Sequence, residues 1–232
     1  GKTVSEQAGS IPVPSIEIKE ATGKEDVRMT IDGLNFIFKN YPGTEAPSEM
    51  HVYIEDYCTL CPGENITQTM HNLLTPRGAK VRDPKAMAEA IDDAITRFPN
   101  TKIIIGTHHW PTWNVAGEND ANNKCLKLME KQRDMYLFFN NQVIHMLNSG
   151  YNMEEIANNF ALPQSLANEF YCRGYYGSLN HNAKAVAQRY IGWWDGNPAN
   201  YFKYTDVEIA KRFVADMGGE SAVLRKAYDY FE

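Results

Sequence analysis

The sequence predicts an α/β fold over its first half, followed by an all-α second half. Three observations carry this reading. Strand-like alternation broken by turn dipeptides dominates the chain up to about residue 105. One amphipathic helix lies inside that region, just ahead of its last strand. Beyond a polar stretch near residues 115–122, apolar residues recur almost only at helical spacing.

Residues 1–26 are polar, contain Pro12 and Pro14, and read as an irregular lead-in without the apolar run of a secretory leader. Val27 to Lys39 reads as a hairpin, because Asp32-Gly33 suits a two-residue turn whose positions favour positive φ. Leu34, Phe36 and Phe38 alternate along its second strand. Pro42-Gly43 closes that strand, and Met50, Val52 and Ile54 share one face of the next. Pro62-Gly63 is a further break, after which a short helix is expected over Thr67 to Leu74. Pro84 opens a helix to Phe98, with Met87, Ile91, Ile95 and Phe98 along one side. The β-branched run Ile103-Ile104-Ile105 fits a strand buried on both faces.

From Cys125 the residues Met129, Gln132, Tyr136, Phe139, Val143 and Met146 follow in steps of 4 and 3, a long helix of about seven turns that Gly150 ends. Shorter helices are expected over 153–160, 164–170, 182–193, 206–217 and 221–231.

Composition limits the function. Hydrophobic residues make up 43% and charged residues 22% of the 232, as in a globular protein with a core. The net charge of -6 points away from a nucleic-acid partner. Gly150 to Ala167 has the outline of a helix-turn-helix, but its second helix offers Asn168 and Glu169 where a DNA reader needs cations. No apolar run approaches the roughly 20 residues of a membrane span. The four cysteines include one Cys58-x-x-Cys61 pair without a second pair, so buried free thiols are expected rather than a structural metal site.

Three residues sit where sites form, on loops at strand ends: Glu45, Glu64 and His109. Carboxylate and imidazole both suit zinc. Adjacent histidines on an extended segment point oppositely, so only one of His108 and His109 is expected to face a given site. Arg77, in Thr75-Pro76-Arg77-Gly78, offers a guanidinium for bidentate contact with a sulfate or phosphate, although a plain surface arginine is the more ordinary reading of such a position. The stretch Arg173-Gly174-Tyr175-Tyr176-Gly177-Ser178-Leu179-Asn180-His181-Asn182, with Gly192-Trp193-Trp194-Asp195-Gly196-Asn197-Pro198 after it, packs glycines, amides and polar aromatics together.

That stretch resembles the linear alkylsulfatase family. So, in the family's order, do Pro42-Gly43-Thr44-Glu45-Ala46-Pro47, Glu64-Asn65-x-Thr67-x-Thr69-x-His71-Asn72, Arg77-Gly78-Ala79 and His108-His109-Trp110-Pro111. The resemblance implies a zinc hydrolase with two metal ions that cleaves alkyl sulfate esters to alcohol and sulfate. It implies part of a metallo-β-lactamase αββα sandwich over residues 1–118 and a helical dimerisation domain over 119–232, and hence a homodimer. Carried over by position, Glu45, Glu64 and His109 match zinc ligands and Arg77 a sulfate-binding arginine. Tyr175, Tyr176, His181 and Asn182 fall in a stretch expected to close over the substrate. The family's first zinc motif, His-x-His-x-Asp-His, is formed by none of the six histidines. It is expected upstream of residue 1, with a further domain beyond residue 232. These residues alone are therefore expected to bind zinc weakly or not at all and to lack activity.

Overall fold

The computed structural model describes residues 16–18, 26–114 and 123–231. The chain divides into two compact units between Tyr190 and Ile191. The expected boundary at 118/119, and most of the lead-in before Val27, lie outside the described residues.

The first unit is built on one sheet in the order of the chain: β1 (Val27–Ile31), β2 (Leu34–Asn40), β3 (Met50–Ile54), β4 (Thr59–Cys61), β5 (Ile103–Ile104) and β6 (Thr112–Trp113). All neighbours are antiparallel except β4 and β5, which are parallel and joined by a crossover through α1 (Pro84–Arg97). The β1–β2 turn forms as expected, with Asp32 and Gly33 at φ of 50° and 79°. Asp83 caps α1 by accepting from the Lys85 and Ala86 amides at 3.0 and 3.1 Å.

Which sheet face is covered differs from the expectation. Register places Val27, Met29, Leu34, Phe36, Phe38, Val52 and Ile54 together on one face, as the alternation indicates, yet these are only partly buried. The deeply buried set is the alternate one, Ile37, Tyr53, Leu60 and Ile104. Tyr53 stacks on Phe98, at the end of α1, with ring centroids 4.4 Å apart. Each such burial stabilises by about 1.5–3 kcal/mol. Likewise β5 is not buried on both sides, since Ile103 is half-buried and Ile105 exposed. Both faces are apolar, but the described residues cover only one.

The long helix α2 (Lys124–Asn148) packs along α1 and buries every residue of the expected stripe from Cys125 to Met146. It begins at the Asn123 cap and ends ahead of Gly150. The helices α3 (Met153–Asn159) and α4 (Gln164–Ala167) follow; α4 is shorter than expected and gives way to a 3-10 turn over Phe170–Cys172. The helix α5 (Leu179–Ile191) starts earlier than expected. Phe139 and Phe160 stack 4.6 Å apart in this core. The four cysteines are free; burial pushes the thiols of Cys125 and Cys172 up to about 11 and 12.

The expected helix over Thr67 to Leu74 does not form. Its peptide groups are engaged by side chains of α2 and α5 instead of by one another.

The second unit holds α6 (Pro198–Tyr201), α7 (Asp206–Asp216) and α8 (Glu220–Phe231). Thr205 and Glu208 form a reciprocal capping box at the start of α7. Gly218 and Gly219, both at positive φ, turn the chain between α7 and α8, which pack on each other. No residue of these three helices is buried; Val207, Phe213, Leu224, Tyr228 and Phe231 all lie exposed.

Candidate functional site

Because β2 and β3, and β3 and β4, are antiparallel while β4 and β5 are parallel, β2, β4 and β5 run the same way. The loops leaving them carry Glu45, Glu64 and His108. Sequence-distant groups thereby meet at one end of the sheet.

The Glu45 loop is held by hydrogen bonds from the Tyr41 amide to the Glu49 carbonyl (2.8 Å) and from Thr44 Oγ1 to the Tyr41 carbonyl (2.7 Å). The Glu45 amide donates to Asn65 Oδ1 at 3.3 Å, and Asn65 Nδ2 in turn donates to His51 Nε2 at 3.0 Å. Glu64 follows Gly63, whose φ is 57° and where a Cβ would lie 1.8 Å from Glu49 Oε1. A side chain there would be strained at that φ and would displace the Glu49 carboxylate. The glycine lets the Glu64 amide donate to Glu49 Oε1 at 2.8 Å.

Three ligand atoms converge. Carboxylate oxygens of Glu45 and Glu64 and a ring nitrogen of His71 all lie within 4.8 Å of one another. His71 Nδ1 sits 2.8 Å from the Asn72 carbonyl, which only accepts, so Nδ1 carries the proton. Burial holds the His71 pKa below its ordinary value, keeping the ring neutral. Its Nε2 therefore presents a lone pair to Glu64 Oε2 at 3.1 Å. Two acceptor atoms 3.1 Å apart suit a shared cation. The donor set, two carboxylates and an imidazole, is one that zinc takes.

The charges around this group are arranged accordingly. Burial works to raise Glu64, but the hydrogen bond to His108 and the nearby His71 outweigh it and hold the pKa low. Burial lifts Glu49 to about 7, partly offset by the Glu64 amide and reinforced by the charges of Glu45 and Glu64. Arg82 is the cation that meets Glu45. The two side chains form an ion pair with only 10% and 7% of their surfaces exposed. Arg82 also donates to the Glu45 carbonyl (3.1 Å), the Asn72 carbonyl (3.0 Å) and Asn72 Oδ1 (2.5 Å).

Of the adjacent histidines, it is His108 whose Nε2 meets Glu64 Oε1. His109 turns away, its Nε2 lying 3.2 Å from Thr69 Oγ1, and the described residues offer its buried Nδ1 no partner. Arg77 stands exposed on the rim of a cleft of about 950 Å³ that Glu45, Glu64, Arg82 and Arg189 also line. Tyr176 meets the His71 ring edge-on, with centroids 5.0 Å apart, and lies 6.0 Å from that of His108. Tyr175 is 83% exposed at the mouth of a second cleft, beside Trp110 and His109. His181 and Asn182 do not face either cleft. His181 Nε2 donates to the Leu74 carbonyl at 2.6 Å, and Asn182 is buried with its amide spanning two main-chain groups.

Sequence singles out neither His71, Glu49 nor Arg82, and raises His108 only as the neighbour of His109. His71 lay in a segment read as helix. Its signal was the non-helical content around it, with Thr67, Thr69 and Asn72 all poor helix formers.

A family model described as Alkyl sulfatase dimerisation matches residues 152–232. Over its whole length the chain is 43% identical to the Alkyl/aryl-sulfatase BDS1 of Saccharomyces cerevisiae, covering 34% of that protein. It is 40% identical to a Linear primary-alkylsulfatase of Pseudomonas sp, covering 33% of it. The solved structure of the stereoselective inverting sec-alkylsulfatase Pisa1 from Pseudomonas sp. superposes with a TM-score of 0.82 at 41% identity, over 90% of this chain and 32% of that one. The chain thus spans about a third of the length of the curated relatives it matches.

Proposed function

Because the chain belongs to the alkylsulfatase family, we propose that it is one part of a zinc-dependent enzyme that hydrolyses alkyl sulfate esters to alcohol and sulfate. The observation that carries the reading is the convergence of Glu45, Glu64 and His71, with His71 Nδ1 bound to a main-chain carbonyl and its Nε2 turned toward the Glu64 carboxylate. Glu45, Glu64 and a histidine of the His71, His108 and His109 group would hold metal. Zinc bound there supplies Lewis acidity that makes water nucleophilic near neutral pH.

The chain's own residues do the rest. Arg77, with Arg82 and Arg189 on the same cleft, gathers positive charge where a sulfate group would enter. Arg82 orients Glu45 through its carboxylate and its carbonyl. Tyr176 packs the His71 and His108 rings, and Tyr175 flanks the cleft beside them. The ester's alkyl portion meets Tyr175 and Trp110. Residues 1–118 would form part of an αββα sandwich and 119–232 a helical dimerisation domain. The exposed apolar side chains of α7 and α8 supply a surface for a second copy.

These 232 residues contain no His-x-His-x-Asp-His. The remaining ligands of a two-zinc centre would then come from polypeptide outside them, and these residues alone would turn over no substrate. A chimera tests this reading, with residues 27–232 replacing the matching third of the Pseudomonas sec-alkylsulfatase. Hydrolysis of alkyl sulfates is expected, lost in Glu64→Gln and with chelation. A folded chimera that binds no zinc, or dodecyl sulfate turnover by the 232 residues alone, overturns the reading.

A further inference from the structure

The segment from Thr67 to Leu74 carries His71, yet it has no regular structure of its own. Its peptide groups are held from outside. Gln132 Oε1 accepts from the Thr67 amide (3.0 Å), and Gln132 Nε2 donates to the Thr69 carbonyl (3.0 Å). The His71 amide donates to the Tyr136 hydroxyl (3.2 Å). Asn182 Nδ2 donates to the His71 carbonyl and its Oδ1 accepts from the Leu73 amide, both at 2.9 Å. Between these, the Met70 amide and carbonyl pair with the Arg173 carbonyl (2.9 Å) and the Gly177 amide (3.0 Å).

Gln132, Tyr136 and Asn182 are all fully buried. Gln132 interrupts the apolar stripe of α2 between Met129 and Tyr136, where a leucine would pack without desolvating an amide. A buried polar group in a core is tolerated only when its bonds are made, and these bonds are spent largely on the segment that bears the imidazole.

We propose that Gln132, Tyr136 and Asn182 are positioning residues of the metal site. The helical region, on this view, builds the site as well as any assembly surface. Each acts through the main chain of His71 or its neighbours, fixing the ring at Glu64 without touching a ligand. The inference rests on the metal-site reading above.

The test uses the full chain and the variants Gln132→Leu, Asn182→Leu and the milder Tyr136→Phe, with Phe139→Ala as a core control on the same helix. Amide exchange without metal comes first. Exchange over 67–74 is expected to quicken at least about tenfold in Gln132→Leu and Asn182→Leu, while β1–β3 hold within about twofold. The control should loosen the α1–α2 core generally. Nitrogen NMR of the His71 ring should show one Nδ1–H tautomer in the wild type and a mixture in Tyr136→Phe. Titration with zinc alone, with the same substitutions carried in the chimera described above, should then show affinity falling about tenfold or more in the clamp variants and little in the control. Unchanged exchange over 67–74, or equal loosening of every element, overturns the proposal. Absence of zinc binding by the otherwise wild-type chimera overturns the metal-site reading instead, and the exchange and tautomer results still decide whether the clamp positions His71.

Discussion

Replacing Arg82 by methionine isolates the electrostatics of the site. Its guanidinium and the Glu45 carboxylate are nearly enclosed, so solvent screens the pair little. Methionine keeps most of the packing volume and removes the charge. It leaves Glu45 buried beside Glu49 and Glu64, leaves the Glu45 carbonyl without its Arg82 donor, and leaves the Asn72 carbonyl with only the His71 Nδ1–H. Breaking a buried pair from one side costs about 3–5 kcal/mol, a large part of a stability of about 5–15 kcal/mol. Metal should reverse much of the loss. In the wild type zinc competes with Arg82 for Glu45, whereas in the variant it meets a carboxylate with no counter-charge. Zinc at a hundred times its Kd adds about 2.7 kcal/mol to either form, so at one fixed concentration the tighter-binding variant gains more. Urea unfolding followed by circular dichroism, in chelator and in zinc, reads both quantities. A loss below about 1 kcal/mol in chelator, or equal zinc increments in the two proteins, refutes the reasoning.

Two further outcomes follow from the same neighbourhood. Burial pushes His51 down to about 3 from 6.5, so between those values the unfolded chain takes up a proton that the folded chain refuses. That contribution is fully present above pH 6.5 and is lost as pH falls through the window, by up to about 1.4 kcal/mol per unit. His51→Gln keeps an acceptor for Asn65 but does not titrate. The stability difference between wild type and variant, measured by urea unfolding, should therefore shrink toward pH 5, and a constant difference would count against the assignment. Gly177→Ala places a Cβ 2.7 Å from the His71 carbonyl oxygen, a main-chain atom that cannot swing aside. It should destabilise by about 1–3 kcal/mol, and a thermal melt unchanged within about 0.5 kcal/mol would contradict that contact.

The α/β-then-α order, the Asp32-Gly33 hairpin and the α2 stripe were legible because each is a local pattern with one dominant period. The failures were cases where a distant group decides. The helix expected at 67–74 is only weakly favoured by Thr67, Thr69 and Asn72, and Gln132 and Asn182, more than 60 residues away from the groups they bind, take its peptide groups. The alternation in β2 and β3 placed Phe36, Phe38, Val52 and Ile54 on one face, whereas the covered face is the opposite one, bearing Ile37 and Tyr53, where Phe98 at the end of α1 stacks. Glu45 and Glu64 were visible as loop carboxylates at strand ends. Choosing among His71, His108 and His109 needed the parallel β4–β5 pairing and the direction of each ring, which spacing along the chain does not contain.

The half-covered sheet also has a calorimetric signature. Burial of apolar surface sets the heat-capacity change of unfolding, and a face bearing Phe36, Phe38, Val52 and Ile54 that stays partly wet contributes less than its composition would suggest. Unfolding of these residues alone should therefore show a smaller heat-capacity increment per residue than the usual 12–15 cal/mol/K, roughly. Any polypeptide that closes over that face should bind with a negative heat-capacity change, a reading that needs neither metal nor substrate.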